Sequence, residues 1–153
     1  MSRLKVYDVP HKGLRNALSQ MSLLAGKTNY ANRREVEQLY RLGLDVFSIL
    51  GIHAADENQV TLAELEKRCP GCSRHDVEVH EQLHLAQNKL ETGLAKMYQD
   101  AQAGRDVSEE GAEFYPLLPN FKGFTWSIRQ KRKELPSRCF GIILRMKNWH
   151  RTG

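Results

Sequence analysis

Histidine and glutamate residues occur at a spacing that suits a metal site. His53 and Glu57 are four residues apart, and so are His80 and His84. On an α-helix the two members of such a pair project from one face, one above the other. His11 lies nearer the N-terminus. Imidazole and carboxylate groups that project inward from several helices hold transition metals in helical bundles, and a set without thiolates favours iron or manganese over structural zinc.

Helical patterns surround each of these residues. Asp8 and Pro10 predict the start of a first helix, which ends near Gly26. Asn32 predicts the cap of a long second helix, whose apolar periodicity continues to the CPGC break at residues 69–72. The first of the candidate histidines would therefore lie at a helix start, and the His53–Glu57 pair would lie well inside the second helix.

The second half of the chain predicts a third helix and part of a fourth. Ser73 is a candidate cap for the third helix, which ends within residues 100–104. The fourth helix begins at Asp106 or Ser108, and its periodicity is lost near Tyr115. The apolar run at residues 140–146 predicts a strand or a helical turn. The expected fold class is therefore all-α, an up-down antiparallel four-helix bundle with an incomplete or irregular fourth helix.

The charge of the protein is unevenly distributed. The chain has 153 residues and a net charge of +5. Residues 1–115 carry 14 basic and 17 acidic residues, whereas residues 116–153 carry nine basic residues and one acidic residue. This break predicts a helical domain over residues 1–115 and an atypical basic tail over residues 116–153. We expect a cytoplasmic protein with no membrane partner, because the chain lacks a long apolar run and a secretory leader pattern.

Two further motifs predict alternative functions. Cys69 and Cys72 form a C-x-x-C pair with His75 close by, which suits a thiol-redox couple, half of a zinc site, or simply a tight turn. With an odd number of cysteines we expect them to be reduced or metal-bound. The basic tail carries interleaved aromatic residues, as nucleic-acid-binding segments do, so the alternative function is that of a nucleic-acid-associated protein that acts through this tail. A solvated charged tail has the same features, and we therefore favour the metal site over a nucleic-acid partner.

The histidine pattern also carries a family resemblance. The set His11, His53-Ala-Ala-Asp-Glu57 and His80-Glu-Gln-Leu-His84 resembles the hemerythrin-like, or HHE cation-binding, proteins. The opening PHKGLRNAL, the Pro-Gly turn and the EEGAEFY segment are similar to that family as well, so that the resemblance covers about residues 5–115.

The resemblance implies a four-helix bundle that binds non-haem iron, as one or two ions. It implies that the metal ligands are His11, His53, Glu57, His80 and His84, with Glu57 as the bridging carboxylate. It also implies binding of O2 or NO, or a role in sensing and stress, rather than enzymatic catalysis. The family's fourth helix supplies a further histidine and a carboxylate one turn later, and no residue after Tyr115 matches them.

This departure suggests that the chain changes reading frame near codon 115. Codons can be chosen that encode the observed tail and that, read in a shifted frame, encode an acidic segment. That acidic segment is similar to the end of such a fourth helix. We expect the nucleotide sequence after codon 115 to encode that acidic segment in a shifted frame. Sequencing the locus tests this expectation, and codons that cannot encode the segment would contradict it.

Overall fold

The computed structural model describes the backbone of residues 8–131 and the side chains of residues 10–125. This part of the chain is helical, with no strand. Its elements are α1 (Asp8–Lys27), α2 (Arg33–Asp56), a π-helical segment (Glu57–Leu62), α3 (Ala63–Arg68), α4 (Arg74–Gln102), α5 (Ser108–Phe114) and α6 (Leu117–Lys131). The all-α fold class is therefore confirmed.

The start of α2 follows the predicted capping chemistry. The Asn32 side-chain oxygen accepts a hydrogen bond from the backbone N–H of Arg34 at 3.0 Å. Glu35, in the first turn, accepts a hydrogen bond from the Asn29 N–H at 2.7 Å. Both contacts satisfy backbone donors around the turn that enters the helix, so the chain reverses sharply between α1 and α2.

The long helices enclose one hydrophobic core. Helix α2 packs against α1 and α4, and α6 packs against the same two helices from the other side. The residues at the centre of the core are each at most 2 % exposed: Leu18, Met21, Val36, Leu39, Leu94, Val107 and Leu118. Contacts from each of the four long helices thus close the bundle around a shared apolar interior.

The fourth side of the bundle is made of two helices, α5 and α6. The apolar periodicity is lost near Tyr115, and in the structure α5 ends there; α6 follows after a short interruption at Pro116, so the fourth helical side is irregular. Pro119 lies in the first turn of α6, where a missing N–H breaks no helical hydrogen bond. Leu118 and Phe121 are buried in the core. At least the first residues of the predicted tail therefore belong to the fold.

The remainder of the basic tail lies outside the described residues. The same holds for the apolar run at residues 140–146, for which a strand or a helical turn was predicted. Within the described range, no helix is both long and apolar enough to cross a membrane.

Tyr30 closes the end of the bundle where α1 turns into α2. Its hydroxyl donates a hydrogen bond to the Ala25 carbonyl at 3.0 Å, and its own carbonyl accepts one from Val107 at 3.4 Å. Its ring lies directly against Gly111 of α5, which is itself buried. Burial, with a smaller contribution from Tyr115, raises the pKa of the Tyr30 hydroxyl to about 12.

Substituting Gly111 should therefore damage this end of the bundle. A Cβ at Gly111 would overlap the rigid Tyr30 ring, so Gly111→Ala should lower the free energy of unfolding by about 1–3 kcal/mol. The control is Gly51→Ala in α2, where a Cβ meets nothing within 4 Å and helix propensity should raise stability by up to about 1 kcal/mol. Urea unfolding measures both, and equal effects would contradict the packing described.

The same tyrosine should make stability sensitive to alkali. The pKa of Tyr30 is raised from 10.0 to about 12, so its contribution is complete below pH 10 and is lost as the pH rises through 12. We expect Tyr30→Phe to reduce this alkaline loss of stability. The free energy of unfolding of both proteins, compared at neutral and alkaline pH, tests it; identical slopes would contradict the assignment.

Candidate metal centre

Three separate stretches of helix bring polar side chains to one point of the bundle. His11 lies in the first turn of α1, and His53 lies in the last turn of α2. Glu57 is the first residue of the π-helical segment, and His80 lies in the second turn of α4. The start of α1, the end of α2 and the start of α4 therefore meet at the same level.

The carboxylate of Glu57 is the centre of this cluster, which we call the Glu57 cluster (His11, His53, Glu57 and His80). The Glu57 side chain is only 6 % exposed. Its Oε1 lies 3.5 Å from His11 Nε2 and 3.7 Å from His53 Nε2. Those two nitrogens are themselves 3.1 Å apart. A buried carboxylate needs compensation by a positive charge, and these imidazoles face it at the distances where a proton or a cation would supply it.

The second oxygen of Glu57 faces another histidine. Glu57 Oε2 lies 3.2 Å from His80 Nε2, and the His80 side chain is only 8 % exposed. The two oxygens of one carboxylate thus serve two different groups of imidazoles. This arrangement is compatible with a carboxylate that bridges two metal positions. The position beside Oε1 has two imidazole donors, and the position beside Oε2 has one.

The three donors on the Oε1 side are spaced as donors around a single ion. His11, His53 and Glu57 each offer an atom, and these atoms lie within 4.8 Å of one another. The point equidistant from the three atoms is about 2.0 Å from each, close to the bond length between a transition metal and imidazole nitrogen or carboxylate oxygen. Two imidazoles and one carboxylate are also the donor set of mononuclear non-haem iron sites. The residues present therefore fit a metal ion.

The π-helical segment allows Glu57 to face inward together with the apolar residues that follow it. In an α-helix, residues five apart differ by about 140° in direction, so Glu57 and Leu62 would point to different sides. In a π-helix, residues five apart are joined by a hydrogen bond and lie on the same side. Both Glu57 and Leu62 are buried, whereas Val60, between them, is 57 % exposed. The wider turn thus allows the Glu57 carboxylate and the Leu62 side chain to be buried on the same side of the helix.

His84 is the predicted ligand that the structure does not bring to this point. It is exposed on α4, and its Nε2 lies 3.4 Å from Asn88 Nδ2. The i, i+4 spacing places His80 and His84 on the same side of the helix, but only His80 is near enough to reach Glu57. The described residues therefore assemble four of the five predicted ligands.

Asn58 is a residue of this site that the sequence pattern did not reveal. Its side-chain oxygen lies 2.7 Å from Nδ1 of His80, on the side of the ring away from Glu57. No spacing motif includes Asn58. The only available signal is its position directly after a candidate ligand.

The C-x-x-C turn differs from the expectation of reduced or metal-bound thiols. Cys69 and Cys72 are joined by a disulfide across the turn between α3 and α4. Glu66 supports the same turn by accepting hydrogen bonds from the Ser73 hydroxyl at 2.5 Å and from the Gly71 N–H at 2.7 Å. The bond from Ser73, and to a lesser degree that from Gly71, lowers the pKa of the Glu66 carboxyl. His75 is exposed. In this state the turn has no thiolate pair to offer zinc.

No family model, curated protein or solved structure matches the chain.

Proposed function

We propose that this chain is a hemerythrin-like, non-haem-iron-binding protein that binds or senses a small diatomic molecule, O2 or NO. The observation that carries the proposal is the buried carboxylate of Glu57, which three imidazoles face from two other helices and from its own. A buried carboxylate surrounded by imidazole nitrogens is the arrangement that binds transition metals inside helical bundles.

The proposed topology is an up-down antiparallel bundle, as in that family. Two contacts support it. His11, at the start of α1, touches His53, at the end of α2. Tyr40, near the start of α2, stacks on Tyr98, near the end of α4, with ring centroids 4.2 Å apart. Each contact joins the start of one helix to the end of the next, as antiparallel neighbours require.

We propose that the first ion binds between His11, His53 and Glu57. This position has three protein donors, whereas the Oε2 side has His80 and the second carboxylate oxygen. The difference in donor number predicts one tightly held ion and a second that binds more weakly. An ion held only by the helix pairs His53–Glu57 and His80–His84 is not supported, because His84 is exposed.

The choice of iron rests on donor chemistry. Neutral imidazole nitrogens together with carboxylate oxygen suit iron, and a site with no thiolate disfavours structural zinc. When bound, the iron would supply reversible binding of a diatomic ligand at a position that the protein leaves open.

The chain's own groups set the conditions for that chemistry. Glu57 supplies a carboxyl group that is enclosed by the bundle, with its side chain only 6 % exposed. His11 and His53 are 25 % and 21 % exposed, so the Oε1 side of the carboxylate borders solvent more than the His80 side does. We therefore propose that a small ligand reaches the site between α1 and α2, and that the protein acts in the cytoplasm as a binding module rather than an enzyme.

Removing one predicted donor should separate this proposal from a purely structural cluster. We expect His53→Ala to weaken Fe(II) binding by more than about 100-fold, because it removes one of three donors. Anaerobic equilibrium dialysis with metal analysis measures the affinity and the number of ions per chain. An optical change on adding NO to the loaded protein tests access of the diatomic ligand.

His84→Ala is the matched control. It removes another histidine of the predicted ligand set, one that the structure places away from Glu57. We expect it to leave Fe(II) affinity unchanged. No Fe(II) binding by the unsubstituted protein, or an equal loss in both variants, would contradict the proposed function.

A further inference from the structure

Two consecutive residues hold the two nitrogens of one buried imidazole. Glu57 Oε2 lies 3.2 Å from His80 Nε2, and Asn58 Oδ1 lies 2.7 Å from His80 Nδ1. The contact to Asn58 has the length of a strong hydrogen bond, and His80 is only 8 % exposed. His80 is therefore fixed at both ends of its ring by neighbouring residues of one helical segment.

The π-helical geometry allows both Glu57 and Asn58 to contact the His80 ring. Consecutive residues of an α-helix diverge by about 100°. Hydrogen bonding to the fifth residue along puts more residues in each turn, which lowers this angle. Glu57 and Asn58 are the first two residues of the π-helical segment, and both reach the same ring.

The chemistry of the amide oxygen then determines where the His80 proton lies. An amide oxygen only accepts hydrogen bonds, so with Oδ1 of Asn58 facing the ring, His80 Nδ1 is the donor in this contact. In the neutral imidazole, Nε2 then carries the lone pair. That lone pair faces a carboxylate oxygen, which is an acceptor as well, and two acceptors at 3.2 Å need a proton or a metal cation between them.

We propose that Asn58 is a positioning residue that fixes the Nδ1–H form of His80 and thereby makes Nε2 a metal donor beside Glu57 Oε2. This inference rests on the proposed function, since it concerns the weaker, Oε2 side of the same site. Groups that accept a hydrogen bond from the far nitrogen of a ligating histidine fix its tautomer and orientation, and their loss typically weakens metal binding by about 10- to 100-fold.

The first measurement concerns the tautomer and needs no metal. Nitrogen NMR shifts of the His80 imidazole in the metal-free protein, at a pH where the ring is neutral, distinguish a proton on Nδ1 from one on Nε2. We expect Nδ1–H in the unsubstituted protein and in Asn58→Asp, whose carboxylate also accepts. We expect Asn58→Ala to lose this preference. A proton on Nε2 in the unsubstituted protein would overturn the inference.

The second measurement concerns metal affinity. We expect Asn58→Ala to weaken binding of the Fe(II) ion on the His80 side by about 10- to 100-fold. Asn58→Asp should bind this ion as tightly as the unsubstituted protein does. Asn58 is exposed, so substitution should leave the fold intact, which circular dichroism checks. Unchanged affinity in Asn58→Ala would overturn the proposed link to the metal.

Asn88→Ala is the matched control for both measurements. Asn88 is another exposed asparagine that contacts a histidine, with its Nδ2 3.4 Å from His84 Nε2. We expect it to change neither the His80 tautomer nor Fe(II) affinity. If the unsubstituted protein binds no Fe(II), the proposed function fails and with it the metal role of Asn58. The tautomer measurement alone then still supports or overturns the positioning of His80 by Asn58.

Discussion

The structure depends on one buried carboxyl group, that of Glu57. A carboxylate removed from water costs several kcal/mol unless positive charge and hydrogen bonds replace its hydration. Glu57 is among the few charged side chains that are buried in the described part of the chain, and imidazole nitrogens face both of its oxygens. Removing the imidazoles would leave the buried Glu57 carboxyl group without these partners, whereas keeping them fixes how the start of α1, the end of α2 and the start of α4 approach one another. The cluster is therefore a constraint on the bundle as well as a candidate binding site.

The hydrophobic core and this polar cluster share the same helices but occupy different levels. The centre of the core lies against residues such as Leu39 and Leu94. The cluster lies nearer the end of α2, where the wider turn of the π-helical segment begins. Packing of the core holds the helices in place, and the π-helical segment then admits a carboxylate without exposing Leu62. In this bundle a local departure from α-helical geometry thus positions the chemistry, while regular helix supplies the stability.

Much of the fold could be predicted from the sequence, because local signals and tertiary packing agree. Asn32 caps α2 as expected, and His53 and Glu57 share a face because their spacing matches an α-helical turn up to the first π residue. Beyond that point the 3.6-residue period fails. Val60 is apolar yet exposed, because it lies within the π-helical segment, where the wider turn changes the direction in which each side chain projects. Helical spacing alone also could not separate His80 from His84, since only the approach of Glu57 distinguishes them.

The π-helical segment has a consequence for how this chain should be compared with others. A π turn contains one more residue than an α turn, so α2 and α3 are one continuous helix whose two parts are offset by one position. An ungapped alignment with an uninterrupted helix would pair the residues of α2 correctly and mispair those of α3. A single-codon insertion or deletion in this stretch would change the helix register without altering any ligand identity. The capacity of such a chain to hold a buried carboxylate is therefore encoded partly in the number of residues within this one helix, a property that residue-by-residue similarity does not measure.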